Sequence, residues 1–180
     1  RINQGLAATN LSSTTPWGAW IAFYVYFVGL SAGAFLLSTL IYVFGMEQYE
    51  KVGRDALLVA ILNMVVAMLF VLTDLGKMGR FMNALLYGNL TSPLAWEIRF
   101  YMVYIGILVA ELYFSMRTAM VRAADRSTGW KASLLNFLTL GRKDLSKEAK
   151  EKDHKMLKIL GSIGIPVAIF GVHGGTGVLF

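Results

Sequence analysis

His173 is one of two histidines in a chain of 180 residues, and it sits in GVHGGTGVLF, a stretch otherwise apolar enough to lie in a bilayer. An ionisable side chain is costly at such a depth and marks a functional site by default. Imidazole titrates near neutral pH, so proton exchange is the chemistry it suits. Two acids stand in similarly apolar surroundings, Asp74 in FVLTDLG and Glu111 in LVAELYF. Trp17, Tyr24 and Trp96 supply aromatic surface that could wall a flat ring.

The elements that must position these groups are membrane helices. Hydrophobic residues make up 56% of the chain and charged ones 16%. Stretches 17–44, 56–74, 95–116 and 159–180 are each long enough to cross a hydrocarbon core, which takes about 20 helical residues. Strand-like alternation is absent, which argues against a barrel. The expected fold is therefore an all-α integral membrane protein, a bundle of four transmembrane helices. Residues 1–16 form an extracytoplasmic arm, 17–116 hold helices one to three, 117–158 a basic loop and 159–180 the fourth helix. The first helix contains Gly29 and Gly33 at small-xxx-small spacing, which predicts close helix packing. Pro166 predicts a kink in the fourth. Residues 130–140 predict a short amphipathic helix on the membrane surface. The sequence begins without Met and ends within an apolar run, as expected of the N-terminal part of a larger subunit.

Charge gives the orientation. Segment 117–158 carries eleven Lys/Arg against five Asp/Glu, which equals the +6 of the whole chain. The positive-inside rule places it in the cytoplasm and the N-terminus outside. The basicity then reflects topology and anionic lipid headgroups rather than nucleic acid. At about 1.5 Å per residue, Asp74 lies roughly 27 Å beyond Ala56 and His173 roughly 21 Å beyond Ile159, both toward the outer face. Trp17 and Trp96 begin outward-facing helix ends.

An imidazole, a carboxylate and two indoles at one depth would suit a quinone. Quinol oxidation releases two protons with two electrons, so its pocket needs hydrogen-bond partners for the ring oxygens and a proton acceptor. His173 and Asp74 are the candidate catalytic and quinone-binding groups, with Trp17, Tyr24 and Trp96 as walls. Gly171, Gly174, Gly175 and Gly177 would let a ring approach the backbone. Each residue also has a plainer reading. His173 could hydrogen-bond a neighbouring helix, and Asp74 could pair with Lys77 or Arg80. Glu111 could snorkel to the cytoplasm, pair with Arg117, or serve a proton path. His154 falls in the charged loop and is expected to be solvated.

The chain has no cysteine, so it cannot itself hold a cysteine-ligated iron–sulfur cluster or a CxxCH haem. Two histidines, one in the loop and one in the outer half of a helix, do not make a transmembrane bis-histidine haem site.

PWGAWIAFYVYFVGLSAGAFLLSTLIYVFG, then DLGKMGRF, then TSPLAWEIRFYMVYIGILVAELYF resembles the NrfD/polysulfide reductase membrane-subunit family over most of 16–117. Trp17, Gly29, Gly33, Asp74, Arg80, Pro93 and Trp96 match directly. Polar residues just before the first helix contribute to the quinone site in some members, and Asn10, Thr14 and Thr15 stand there in this sequence. The resemblance implies a haem-free bundle of eight to ten spans whose first four helices hold a quinone, menaquinone or ubiquinone, near the outer face. It implies a ferredoxin-like iron–sulfur subunit docked on the extracytoplasmic side, serving a molybdopterin enzyme or multihaem cytochrome c. A bacterial or archaeal cytoplasmic membrane is the expected location. The reading is thus a quinone-reactive subunit of a respiratory oxidoreductase complex. Its rivals are a membrane anchor without quinone chemistry and a proton-translocating subunit, the latter favoured if Glu111, Asn63 and Asp74 line one polar path.

Overall fold

A computed structural model describes residues 11, 12, 14, 17–74, 81–89, 91–141 and 143–179. Among them are seven α-helices: α1 (Ala19–Val43), α2 (Glu50–Asp74), α3 (Phe81–Tyr87), α4 (Pro93–Arg126), α5 (Trp130–Leu138), α6 (Lys147–Pro166) and α7 (Gly174–Leu179). A π-helical segment, Val167–His173, joins α6 to α7. Four spans are long and apolar enough to cross a membrane: Ala19–Val43, Glu50–Asp74, Pro93–Arg126 and Lys147–Gly177. The protein is a multi-pass, all-α membrane protein.

Local chemistry sets several boundaries. Gly45 takes φ +68 and turns the chain out of α1, with Met46 N–H returning to Ile41 O at 2.9 Å. Pro93 opens α4 in the first turn, where a missing N–H costs nothing. Ser146 caps α6 by accepting from Ala149 N at 3.2 Å. The Ser146 backbone N–H also bonds the Asp144 carboxylate at 2.8 Å and holds it below its ordinary pKa. Pro166 is followed by wide π turns rather than a simple kink, since it cannot donate into the helix ladder. Three helices are longer than the sequence pattern alone indicates. α4, at about 1.5 Å per residue, runs roughly 51 Å and projects past a bilayer at its basic end.

The helices form a ring in which α1 neighbours α2 and α6, and α4 neighbours the same two. α1 and α4 are therefore diagonal, and their side chains meet on the bundle axis. Along α1 that axis is lined by Tyr24, Val28, Ser31, Phe35, Ser38 and Tyr42, all buried and spaced alternately by four and three. Along α4 it is lined by Glu97, Tyr101, Tyr104, Leu108 and Glu111, in the same rhythm. The helices between them contribute small residues: Gly53, Ala56, Ala60 and Ala67 on α2, and Gly161 and Gly164 on α6. Nearer one end, Phe70 of α2 stacks on Phe23 and Phe27 of α1 at 5.5 and 5.6 Å.

The close approach predicted at Gly29 and Gly33 is absent: a Cβ at either position meets nothing within 4 Å. The intimate contacts belong to α6. A Cβ on Gly164 would collide with Phe35 Cζ, and one on Gly161 would lie 3.0 Å from Thr39 Cγ2. Phe35 is fully buried and packs edge-on to Tyr104, so it has nowhere to retreat. At the basic end Arg117, its side chain only 4% exposed, clasps α4 to α6 through Asp153 at 2.6 Å and also donates to Asp144 O at 2.9 Å.

Gly164→Ala should destabilise the bundle by about 1–3 kcal/mol through overpacking. Gly29→Ala in the same chain should leave stability unchanged. Thermal unfolding in detergent checks the pair, and equal midpoints for both variants would contradict the packing described.

Candidate functional site

Among the described residues, three side-chain hydroxyls converge on Glu97. Glu97 lies in the second turn of α4 and is 2% exposed. Its Oε1 accepts from Tyr24 Oη at 2.7 Å, Tyr101 Oη at 2.5 Å and Thr176 Oγ1 at 2.8 Å. Tyr24 comes from α1, Tyr101 from the next turn of α4 and Thr176 from α7. The hydroxyls also neighbour one another: Tyr24 bonds Tyr101, and Thr176 lies 3.1 Å from Tyr101 and 3.4 Å from Tyr24. Thr176 has a second acceptor, Val172 O at 2.8 Å, and one hydroxyl proton to share between it and Glu97. A carboxyl group ringed by exchangeable O–H groups can take up, hold and pass a proton.

Backbone geometry makes the approach possible. A Cβ on Gly175 would lie 3.3 Å from Glu97 Cγ, and one on Gly171 2.7 Å from Phe100 Cδ1. These two glycines let the π segment and α7 lie against α4, which carries Thr176 to the carboxyl. Gly174 and Gly177 make no comparable side-chain contact.

Of the residues nominated from sequence, Tyr24 joins this cluster. His173 lies three residues before Thr176 but is exposed, and its Nδ1 contacts Ala168 O of its own helix at 3.1 Å. A carbonyl oxygen only accepts, so Nδ1 carries the proton of that bond and Nε2 is the ring atom able to accept another. Asp74 is half-buried at the end of α2. Trp17 and Trp96 are 49% and 45% exposed, with Arg99 over the Trp96 ring at 5.5 Å. α7 turns Thr176 toward the axis and leaves His173 exposed. Asn10, Thr15, Lys77 and Arg80 lie outside the described residues. Thr14 bonds Ser12 at 2.9 Å.

Glu111 follows Glu97 by fourteen residues, about 21 Å further along α4. It is 1% exposed and does not snorkel, and Arg117 is engaged by Asp153 instead. Asn63 turns back to Val59 O of its own helix at 2.8 Å, so it does not join Glu111 and Asp74 in one path. A pocket of about 340 Å³ opens at the basic end, lined by Tyr42, Arg54, Ser115, Arg122, Asp153 and His154 among others. His154 is half-buried in that wall rather than fully solvated. This is a charged interhelical cleft, chemically unlike the Glu97 end.

Comparison with known proteins agrees with this architecture. Residues 7–180 match the family model described as polysulphide reductase, NrfD. The chain belongs to the NrfD family. Among curated relatives of this NrfD chain is a selenate reductase subunit of Mesobacillus selenatarsenatis, 46% identical over 185 residues, covering 100% of this chain and 43% of the relative. Another is the Hdr-like menaquinol oxidoreductase integral membrane subunit of Archaeoglobus fulgidus, 32% identical over 125 residues, covering 69% of this chain and 31% of the relative. The chain spans less than half the length of either relative.

Glu97, Tyr101 and Thr176 were not singled out by sequence reasoning. The signal available was the spacing of Glu97, Tyr101, Tyr104 and Glu111 down α4 by four, three and seven, which marks one helix face. Tyr24→Phe and Glu97→Gln, made singly and together, should show a coupling of about 1 kcal/mol in detergent unfolding. Strictly additive effects would mean that the Tyr24–Glu97 hydrogen bond contributes nothing.

Proposed function

We propose that this chain is the quinone-reactive part of a membrane subunit in a respiratory oxidoreductase complex. Glu97, Tyr24, Tyr101 and Thr176 form its acid–base cluster, and His173 precedes Thr176 by three residues. The observation that carries this reading is the convergence of three hydroxyls on one buried carboxyl at the end of the bundle opposite the basic segment. These residues suit a quinone head group: hydroxyl and carboxyl groups for its oxygens, an exposed imidazole, and the aromatic surfaces of Trp96 and Phe100 on the same turns of α4, with Trp17 before α1 as a further wall.

Bound there, a quinol would supply two electrons and two protons on oxidation. Thr176 is the half-buried member of the cluster, so it is the group best placed to meet a ring oxygen and pass its proton to Glu97. His173 Nε2 is suited to accept the other proton. Tyr24 and Tyr101 hold Glu97 in place and share its hydrogen bonds. Glu97 takes the part that sequence reasoning gave to Asp74, which is left as a relay at the rim or a partner for neighbouring charges.

The positive-inside rule supports an extracytoplasmic N-terminus and therefore an outward-facing Glu97 end, in a bacterial or archaeal cytoplasmic membrane. Electrons would pass to or from a ferredoxin-like iron–sulfur subunit on that side, and through it a molybdopterin enzyme or multihaem cytochrome c. A relative named as a menaquinol oxidoreductase subunit favours menaquinone.

Glu97→Gln in the intact complex should lower quinol-linked turnover roughly 100-fold, the scale of a lost acid–base group. His173→Ala should lower it less, roughly 10-fold, because Thr176 and Glu97 persist. Undiminished turnover in both variants, with normal assembly, would leave the chain an anchor without quinone chemistry.

A further inference from the structure

Below the Glu97 cluster the bundle axis stays polar across the membrane, with an apolar interval in its middle. Ser31 donates to Ala60 O at 2.7 Å and lies 3.3 Å from Tyr104 Oη. Phe35 and Leu108 then close the axis, both fully buried. Beyond them lie Ser38, Thr39 and Glu111. The Ser38 Oγ, Thr39 Oγ1 and both Glu111 carboxyl oxygens are buried and have no hydrogen-bond partner among the described residues. Gly161 of α6 packs against these groups: a Cβ on it would lie 3.0 Å from Thr39 Cγ2 and 3.6 Å from Glu111 Oε1. One turn further along α4, Ser115 neighbours Tyr42, and both line the pocket that opens at the basic end.

Buried polar groups are almost always satisfied, and a carboxyl inside a bilayer without a partner is costly to keep. Among the described residues Glu111 meets Gly161 of α6, and Arg117 on its own helix is paired with Asp153 instead. We infer that Glu111 is a proton relay on the bundle axis, reached from the basic end past Tyr42 and Ser115 and serving the Glu97 cluster across the Phe35–Leu108 layer. Its ligand is the proton, carried by water among the Ser38, Thr39 and Glu111 oxygens. A proton that leaves Glu97 in this direction emerges on the basic side, and one that Glu97 takes up by this route is drawn from there. The inference rests on the quinone reading only for what happens at the far end of the route. Entry to Glu111 stands on the geometry around it.

The two parts are separated by two measurements on the intact complex. The first is hydrogen–deuterium exchange at the Glu111 carboxyl, followed by infrared difference spectroscopy and assigned by the band that moves in E111D and vanishes in E111Q. Exchange within minutes of transfer to heavy water is expected, and a band that stays unexchanged for hours overturns the relay. The second uses sealed vesicles with pH dyes on each side during turnover with a soluble naphthoquinol. The pH change on the basic side should fall at least tenfold in E111Q and partly recover in E111D. An unchanged signal in E111Q overturns the route to Glu97. If Glu97→Gln leaves turnover intact, the quinone reading fails, while the exchange measurement still decides entry to Glu111.

Discussion

A carboxyl inside a membrane bundle must find its hydrogen-bond donors within that bundle, and Glu97 finds three hydroxyls, from α1, α4 and α7. Meeting this need constrains much of the architecture. The large polar side chains stand on two diagonal helices, while the two helices between them carry alanine and glycine. Larger residues at Gly164 or Gly171 would hold α6 and its extension away from the axis, and Thr176 would lose its reach to Glu97. The π segment after Pro166 belongs to the same constraint, since it sets the rotation at which α7 arrives.

Membrane helices lack a hydrophobic drive toward each other, because lipid tails are as apolar as leucine. Close packing and internal hydrogen bonds must do that work. Phe35 against Gly164, the aromatic stack on Phe70, and the Arg117–Asp153 clasp each join a different pair of helices. The clasp lies at the basic end, where α4 and α6 project beyond the apolar spans. The two ends of the bundle are thus built differently: at the first, three hydroxyls surround Glu97, and at the second, charges are paired and capped.

The axis between these ends is the feature with most functional content. Along α1 its residues from Tyr24 to Ser38 alternate between hydroxyl-bearing and apolar side chains, and Phe35 with Leu108 of α4 forms an apolar interval. Such an interval separates the two acids of α4, so any exchange between them is controlled by the packing of two side chains. Glu111 is the group on this axis that packing does not account for, since its buried carboxyl oxygens have no hydrogen-bond partner among the described residues.

Membrane topology was legible in the sequence, because bilayer thickness sets a length for apolar runs and lysine and arginine bias the loops. The family was legible too, in segments rich in glycine, tryptophan and proline. The direction of each polar side chain was not. Depth arithmetic groups His173, Asp74 and Trp96 toward one end, but rise per residue carries no information about rotation about the helix axis. Rotation depends on which neighbouring helices can approach, and thus on Gly161, Gly164, Gly171 and the π turns after Pro166. The order of residues alone sets how many apolar spans this chain has and which residues share a depth. The packed bundle adds that Glu97 meets Tyr24, Tyr101 and Thr176, that His173 is exposed, and that Glu111 is enclosed, because those outcomes depend on contacts between distant helices.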